Sequence, residues 1–474
     1  MPIRSGTHLV RITGFGDGHG EPGTIVLPSR TLYTNRGEPD FGFSAPARQP
    51  LRNQAETRHN NEWTKKMKKS VFWSKHFLAA SVALSIGSLP SPVLAQKKYD
   101  VGASDTEIKI GQTMPYSGPA SAFGTIGKVE AAYFKMLNDR GGINKRKINF
   151  ISLDDGYSPP KTVEMVRRLV EQDEVLFLMS TLGTPSNTAI HKYMNTKKVP
   201  HLFLVSGASK WNDPKNYPWT IAYTPNYQSE AKLYALDILR NKPNAKIAVL
   251  YQNDDYGRDY LKGLKEGLGE AAKTLIVAEQ TYEVTDPTID SQIVSLKGSG
   301  ADTLLNITTP KFAAQAIRKV AEIGWKPLHY VNSISISIGA VLKPAGVDNA
   351  VGLISIQYTK SPTDPAWSND PVMKEYFAFL KKYAPDVGVD DGYGTTGYAM
   401  AQLVEQVLKQ CGDNLTRENV MKQAASLKNF QVPMVIPGIL ANTGPDDYAL
   451  FKAMQLVKFD GTTWVPYGKL VDVK

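Results

Sequence analysis

The sequence is poor in the residues on which most hydrolytic and metal-dependent enzymes rely. Among 474 residues there is one cysteine, Cys411, and there are seven histidines. A lone cysteine has no intramolecular partner, which excludes a disulfide framework. Beyond residue 95 only His191, His201 and His329 remain. Neither a zinc site nor a Cys-His nucleophile pair is easily assembled from them. No HExxH and no GxSxG occurs. Long apolar runs are missing as well: none approaches the roughly 20 residues of a membrane-spanning helix. An integral transporter is therefore excluded, and no cofactor or metal is expected.

Acidic residues are the scarcer sign, and the net charge is +10. Residues 1–95 hold twelve Lys/Arg and six Asp/Glu, so +6 of that excess lies in the first fifth of the chain. The remainder is nearly balanced and lacks a basic tract interleaved with aromatics that would follow a phosphate backbone. Nucleic acid is not an expected partner. With 42% hydrophobic residues the chain can bury two or more sizeable cores.

From Met67 the sequence reads MKKSVFWSKHFLAASVALSIGSLPSPVLAQKK. A basic start at Lys68 and Lys69, an apolar stretch over 77–89, a proline break and Val93-Leu94-Ala95 are the three regions of a secretory signal. Residues 67–95 are read as that signal, with cleavage after Ala95 and export to the periplasm. Gln96 stands where a lipoprotein would need cysteine. Residues 1–66, with Gly, Pro and Arg clusters and no sustained periodicity, are read as a doubtful or disordered extension, and translation is expected to start at Met67.

The remaining 379 residues alternate short β-rich runs with helical ones. Strands are expected at 108–111, 148–153, 175–179 and 201–205, with helices at 128–138, 161–171 and 184–195 between them. A second series follows, with strands at 246–251, 274–278, 303–307 and 329–332 and helices at 229–240, 260–271, 289–296 and 311–323. Two such series imply two Rossmann-like lobes with mostly parallel sheets joined by a hinge, with ligand groups at the strand C-terminal ends. Helices at 372–383 and 396–410 and a hairpin turning at Asp460-Gly461 return to complete both lobes. The expected division is 96–223 and 358–445 for the first lobe, 224–357 and 446–474 for the second.

Glycine-rich stretches carry no nucleotide signature. GFGDGHG at Gly14 misses the dinucleotide spacing, and the loop at 124–128 is too short for a P-loop, with Val129 in place of the magnesium-binding hydroxyl residue. Asp154-Asp155 reads as a cap for a strand and the turn after it. The positive signal is a pair of hydroxyl-rich loops. Gly183-Thr184-Pro185-Ser186 follows a strand and opens a helix, and Ser206-Gly207-Ala208-Ser209 is read the same way after the next strand. Their free amides and hydroxyls could together hold a carboxylate; each alone could equally be an N-cap.

These motifs, together with Pro115-Tyr116-Ser117-Gly118-Pro119, Phe123-Gly124, the NDRGGIN run at 138–144, Arg168-Leu169-Val170, Val199-Pro200, Asp255-Tyr256-Gly257 and Gly397-Tyr398, resemble the solute-binding proteins of ABC importers of the branched-chain amino acid type. The resemblance spans about 105–474. It implies the type I periplasmic binding fold, an ABC permease as membrane partner, a monomer and no enzymatic activity. It also implies a ligand carboxylate held by Thr184 and by Ala208 with Ser209, packed by Phe123 and closed over by Tyr256.

One departure bears on the ligand. Family members that bind α-amino acids usually carry an acid just after the strand at His329, and this sequence reads Asn332-Ser333-Ile334-Ser335-Ile336-Ser337, with no Asp or Glu until Asp348. Ser335 completes the expected contacts there. An unpaired buried ammonium is costly, so an aromatic or aliphatic carboxylate is expected rather than an amino acid, unless Asp254, Asp255 or Asp286 supplies the charge. The competing classes are an amino-acid binder on the same fold, an exported α/β enzyme acting on a small acid, and a ligand-sensing module.

Overall fold

The computed structural model describes residues 97–472, so the signal, its cut after Ala95 and the upstream segment lie outside the described residues. The chain opens with β1 (Lys98–Tyr99), β2 (Glu107–Met114), α1 (Gly124–Asp139), β3 (Lys147–Asp154), α2 (Pro159–Glu171), β4 (Phe177–Met179), α3 (Thr184–Lys197), β5 (His201–Leu204) and β6 (Thr220–Ala222). Strands β2 to β6 form a parallel sheet in the order β3-β2-β4-β5-β6. Central β4 and β5 are continuous buried runs, as parallel strands covered on both faces require, whereas edge strand β3 mixes polar and apolar residues.

The second series is α4 (Tyr227–Asn241), β7 (Ile247–Gln252), α5 (Asp255–Leu268), the single turn α6 (Ala272–Leu275), β8 (Ile276–Tyr282), α7 (Asp290–Gly298), β9 (Thr303–Ile307), α8 (Pro310–Glu322), β10 (Leu328–Val331), the short α9 (Lys343–Ala345) and β11 (Ile354–Gln357). Then come α10 (Pro371–Tyr383), α11 (Gly392–Cys411), β12 (Asn414–Leu415), α12 (Arg417–Ala424), β13 (Ala453–Phe459), β14 (Trp464–Pro466) and β15 (Val471–Asp472). The second sheet runs β14-β13-β11-β10-β9-β7-β8, parallel from β8 to β11 and antiparallel where β13 returns beside β11. β15 pairs with β13, and β1 pairs with β12.

The two-lobed, mostly parallel α/β architecture expected from the sequence is thus present. Helices α10 to α12 return to the first sheet, where Tyr133, Phe379 and Tyr398 pack ring on ring. The chain passes between the sheets at 223–226, 358–370 and 425–452. Gly124 to Lys128 is the first turn of α1, not a phosphate loop. Asp154 accepts from the Tyr116, Ser117 and Gly156 amides, and Asp155 from the Tyr157 amide and Thr162, so both carboxylates cap turns. No helix of the described residues is long and apolar enough to cross a membrane.

Candidate functional site

The C-terminal ends of β4 and β5 bring the two hydroxyl loops side by side, tied by a parallel bridge between Leu182 and Val205. Thr184 Oγ1 lies 2.7 Å from Ser206 Oγ. The same Ser206 oxygen accepts from Trp211 Nε1 at 2.8 Å. Glycine is required on both loops. A Cβ on Gly183, where φ is +99°, would lie 2.5 Å from the Tyr157 ring, and one on Gly207 would lie 2.1 Å from the Pro225 carbonyl oxygen and 2.7 Å from the Tyr227 ring. Two tyrosines therefore rest directly on loop backbone.

Facing this niche is an aromatic cluster of the second lobe. Asn226 caps α4 by accepting from the Ser229 amide at 3.0 Å, which places Tyr227 in the first turn. Its ring stacks on Tyr260 at 4.6 Å and meets Tyr256 edge-on at 5.3 Å. The Tyr227 amide donates to the Gly207 carbonyl at 2.8 Å, which holds its ring against that loop. Asp254 caps α5, accepting from the Tyr256 amide at 2.9 Å, and so aims Tyr256 into the same cluster. Tyr256 is 1% exposed and its Oη has no partner among the described residues. Burial raises its pKa well above the ordinary phenol value, which keeps the hydroxyl a donor.

Thr184 sits at the Ser206 hydroxyl of the first lobe, and Tyr256 packs in the second-lobe cluster on Tyr227, whose ring lies against Gly207. Ser209 faces elsewhere. Its Oγ and its amide both donate to Asp259 of α5, at 2.9 and 2.8 Å, and Asn226 donates to the same Oγ at 3.2 Å. The helix expected after Ala208 is only a 3-10 turn, Ser209–Trp211, and the anion at its amino end is the protein's own Asp259. Next to it Lys210 pairs with Asp255 at 2.7 Å, so this edge of the first lobe is fastened to α5 of the second. Ala208 is buried in the apolar cluster that holds Tyr227. Ser335 donates to the Thr308 carbonyl at 2.6 Å. Phe123 is buried edge-to-face on Tyr393, with ring centroids 5.0 Å apart.

The acids named as possible counter-charges are already engaged. Asp254 is occupied by its capping amides and by Gln252 Nε2 at 2.6 Å, Asp255 by Lys210, and Asp286 by the Glu283 amide at 2.9 Å. A fourth acid was not anticipated. Glu230 of α4, fully buried, accepts from the Ser333 amide and hydroxyl at 2.8 and 2.6 Å and from Tyr234 at 2.8 Å. It stands behind the loop after β10, approaching from a helix 103 residues earlier. Burial raises its pKa despite these donors.

A crevice of about 540 Å³, counted with its mouth, opens between the lobes beside Ser333. The crossing strand Gln357 to Ser361 forms one side of it, and Tyr393 and Thr396 of the first lobe form another. Neither Gln357 nor Tyr393 carried a motif that could single it out, because only the crossing of the chain between sheets brings them together.

Residues 107–462 match the family described as Periplasmic binding protein. A Leu/Ile/Val-binding protein homolog 7 of Brucella abortus (strain 2308) is 23% identical over 348 residues, 71% of this chain and 82% of that one. A branched-chain amino acid ABC transporter structure from Thermus thermophilus with bound valine superposes with a TM-score of 0.69 at 16% identity, covering 78% of this chain and 97% of that one. A solute-binding protein of an ABC transporter from Rhodopseudomonas palustris BisB5, in complex with 3,4-dihydroxybenzoic acid, does so with a TM-score of 0.66 at 19% identity, covering 78% and 99%. Family members of this kind bind small molecules and work with ABC permeases. The chain belongs to the periplasmic binding protein family and has its type I fold.

Proposed function

We propose that this protein is the periplasmic solute-binding component of an ABC importer and captures a small carboxylate, an aromatic or aliphatic organic acid, between its lobes without chemical change. The observation that carries this reading is the pair of hydroxyls, Thr184 and Ser206, 2.7 Å apart at strand ends of the first lobe, next to a second-lobe cluster of Tyr227 and Tyr256 in which the Tyr256 hydroxyl has no partner among the described residues. Hydrogen bonds from such donors to an ionised carboxylate are charge-assisted, and exclusion of water strengthens them. In this reading Thr184 and Tyr256 contact the ligand, Ala208 and Phe123 shape the walls, and Ser209 and Ser335 act through the interlobe contact and the Thr308 carbonyl. The segments 96–223 with 358–445, and 224–357 with 446–474, move as two bodies, and ligand bound to both favours the closed arrangement. Export through a signal cut after Ala95 and delivery by a monomer to the permease complete the proposal.

Support for a carboxylate over an amino acid comes from the engagement of Asp254, Asp255 and Glu230, each of which already holds protein donors. The second reading, an amino acid, is favoured by the name of the Brucella relative and by the valine in the Thermus neighbour. Titration calorimetry on protein beginning at residue 96 tests both. Binding of benzoate- or hexanoate-like acids with no leucine or valine binding is expected; tight leucine binding with none for these acids overturns the carboxylate reading.

A further inference from the structure

The interlobe crevice differs chemically from the tyrosine niche. Where β11 ends and the chain crosses to the first lobe, Gln357, Tyr358 and Thr359 follow one another along its wall. Gln357 is only 8% exposed, yet none of these three side chains makes a hydrogen bond among the described residues. The Gln357 amide is not sealed from solvent, so the wall presents polar groups that bond no other side chain and are open to a partner arriving from outside. The charges nearby are already neutralised in pairs. Lys360, 5% exposed, donates to Asp370 at 2.8 Å, and Asp390 pairs with Lys343. Opposite the polar wall stands the ring of Tyr393, fixed by its hydroxyl donating to the Ile334 carbonyl at 2.8 Å and by the Phe123 edge behind it. The crevice thus offers one flat apolar face and a row of neutral donors and acceptors, with no unpaired charge to receive a second ion.

We propose that the ligand carries an uncharged hydroxyl on the part that enters this crevice, where Gln357 and Thr359 recognise it. This rests on the reading of the interlobe cleft as the ligand site and narrows it. A ligand ending in plain alkyl or unsubstituted ring would leave the Gln357 amide and the Thr359 hydroxyl without partners, and sites built to bond a hydroxyl reject analogues that lack it. A second carboxylate would enter without a free cation to meet it.

Calorimetry on the protein from residue 96 onward, with matched probes, tests this: benzoate against 4-hydroxybenzoate, hexanoate against 6-hydroxyhexanoate and adipate, phenylalanine against tyrosine. In whichever class binds, the hydroxylated member is expected to bind at least tenfold more tightly. Gln357→Leu, close in volume, is expected to abolish that preference, and Thr359→Val gives the same reading should the first variant not fold. Equal or tighter binding of the unhydroxylated member, tighter binding of adipate than of 6-hydroxyhexanoate, or a preference that survives both substitutions overturns the proposal. The class that binds, acid or amino acid, decides the broader reading separately, and no binding in any pair overturns both.

Discussion

Replacing Tyr256 by Phe removes one oxygen and separates the binding reading from a purely structural one. The ring is packed on two sides, 5.3 Å from Tyr227 and 5.6 Å from Tyr260, and that packing survives the change. The oxygen is buried without a partner, so the folded state holds a hydroxyl that water would have satisfied in the unfolded chain. Deleting such a group should stabilise the free protein by about 1–2 kcal/mol. For a chain of this size that raises the melting temperature by roughly 1–3 °C. If the same hydroxyl donates to a ligand carboxylate, the substitution should weaken binding by about 1.5–3 kcal/mol, a loss of roughly ten- to a hundredfold. Stability and affinity therefore move in opposite directions, a pattern that a simple core tyrosine does not produce. Differential scanning fluorimetry without ligand and calorimetry with it read the two quantities on one preparation. A lowered melting temperature, or affinity equal to wild type, refutes the reasoning.

Three further predictions follow from other sites. Thr184→Ala removes a hydroxyl from the niche and should weaken ligand binding by about 1–3 kcal/mol, read by calorimetry; unchanged affinity removes this loop from the site. Asp259→Asn weakens the contact that joins the Ser209 amide and hydroxyl to α5, and with Lys210→Ala should raise the ligand dissociation rate in stopped-flow measurements with little change in melting temperature; an unaltered rate shows that the contact does not favour closure. Glu130, fully buried and bonded to Gln112, has its pKa raised by burial to about 8. A carboxyl with a raised folded-state pKa contributes stability that is complete below its unfolded pKa near 4.5 and is lost as pH rises through 8, on the order of 4 kcal/mol across that window. Glu130→Gln should therefore flatten the decline in denaturant midpoint between pH 5 and pH 8, and parallel profiles for variant and wild type would refute it.

What was legible in the sequence follows from how far apart the interacting residues lie along the chain. The βα alternation could be read because each parallel strand is a local apolar run and each helix a local period. Boundaries moved where a cap outweighed the periodicity: α5 begins at Asp255 rather than 260 because Asp254 accepts from two amides, and α11 begins at Gly392 rather than 396 because Asp391 accepts from the Tyr393 amide through a glycine-rich first turn. The short strand β11 carries only four residues and was not singled out, although its end forms the polar wall of the crevice.

The site divides along the same line. The helix start at Thr184 was legible because a strand, a glycine and a helix are adjacent in sequence, and the same locality suggested at Ser209 a helix that is only a 3-10 turn. A free helix amino end is a local feature, but whether a ligand or the protein's own carboxylate meets it depends on a residue 50 positions away on the other lobe. Tyr227 and Glu230 share a helix whose sequence shows only an amphipathic pattern. Tyr227 acquires its surroundings when the lobes meet, against Gly207, and Glu230 when the second lobe folds on itself, against Ser333. In a two-lobed chain the groups most open to sequence reading are those that open the helices of one lobe, and contacts between the lobes are the least open. The missing acid after β10 illustrates the difference: local reading found its place empty, while the fold brings Glu230 behind the same loop, already held by the serine that stands there.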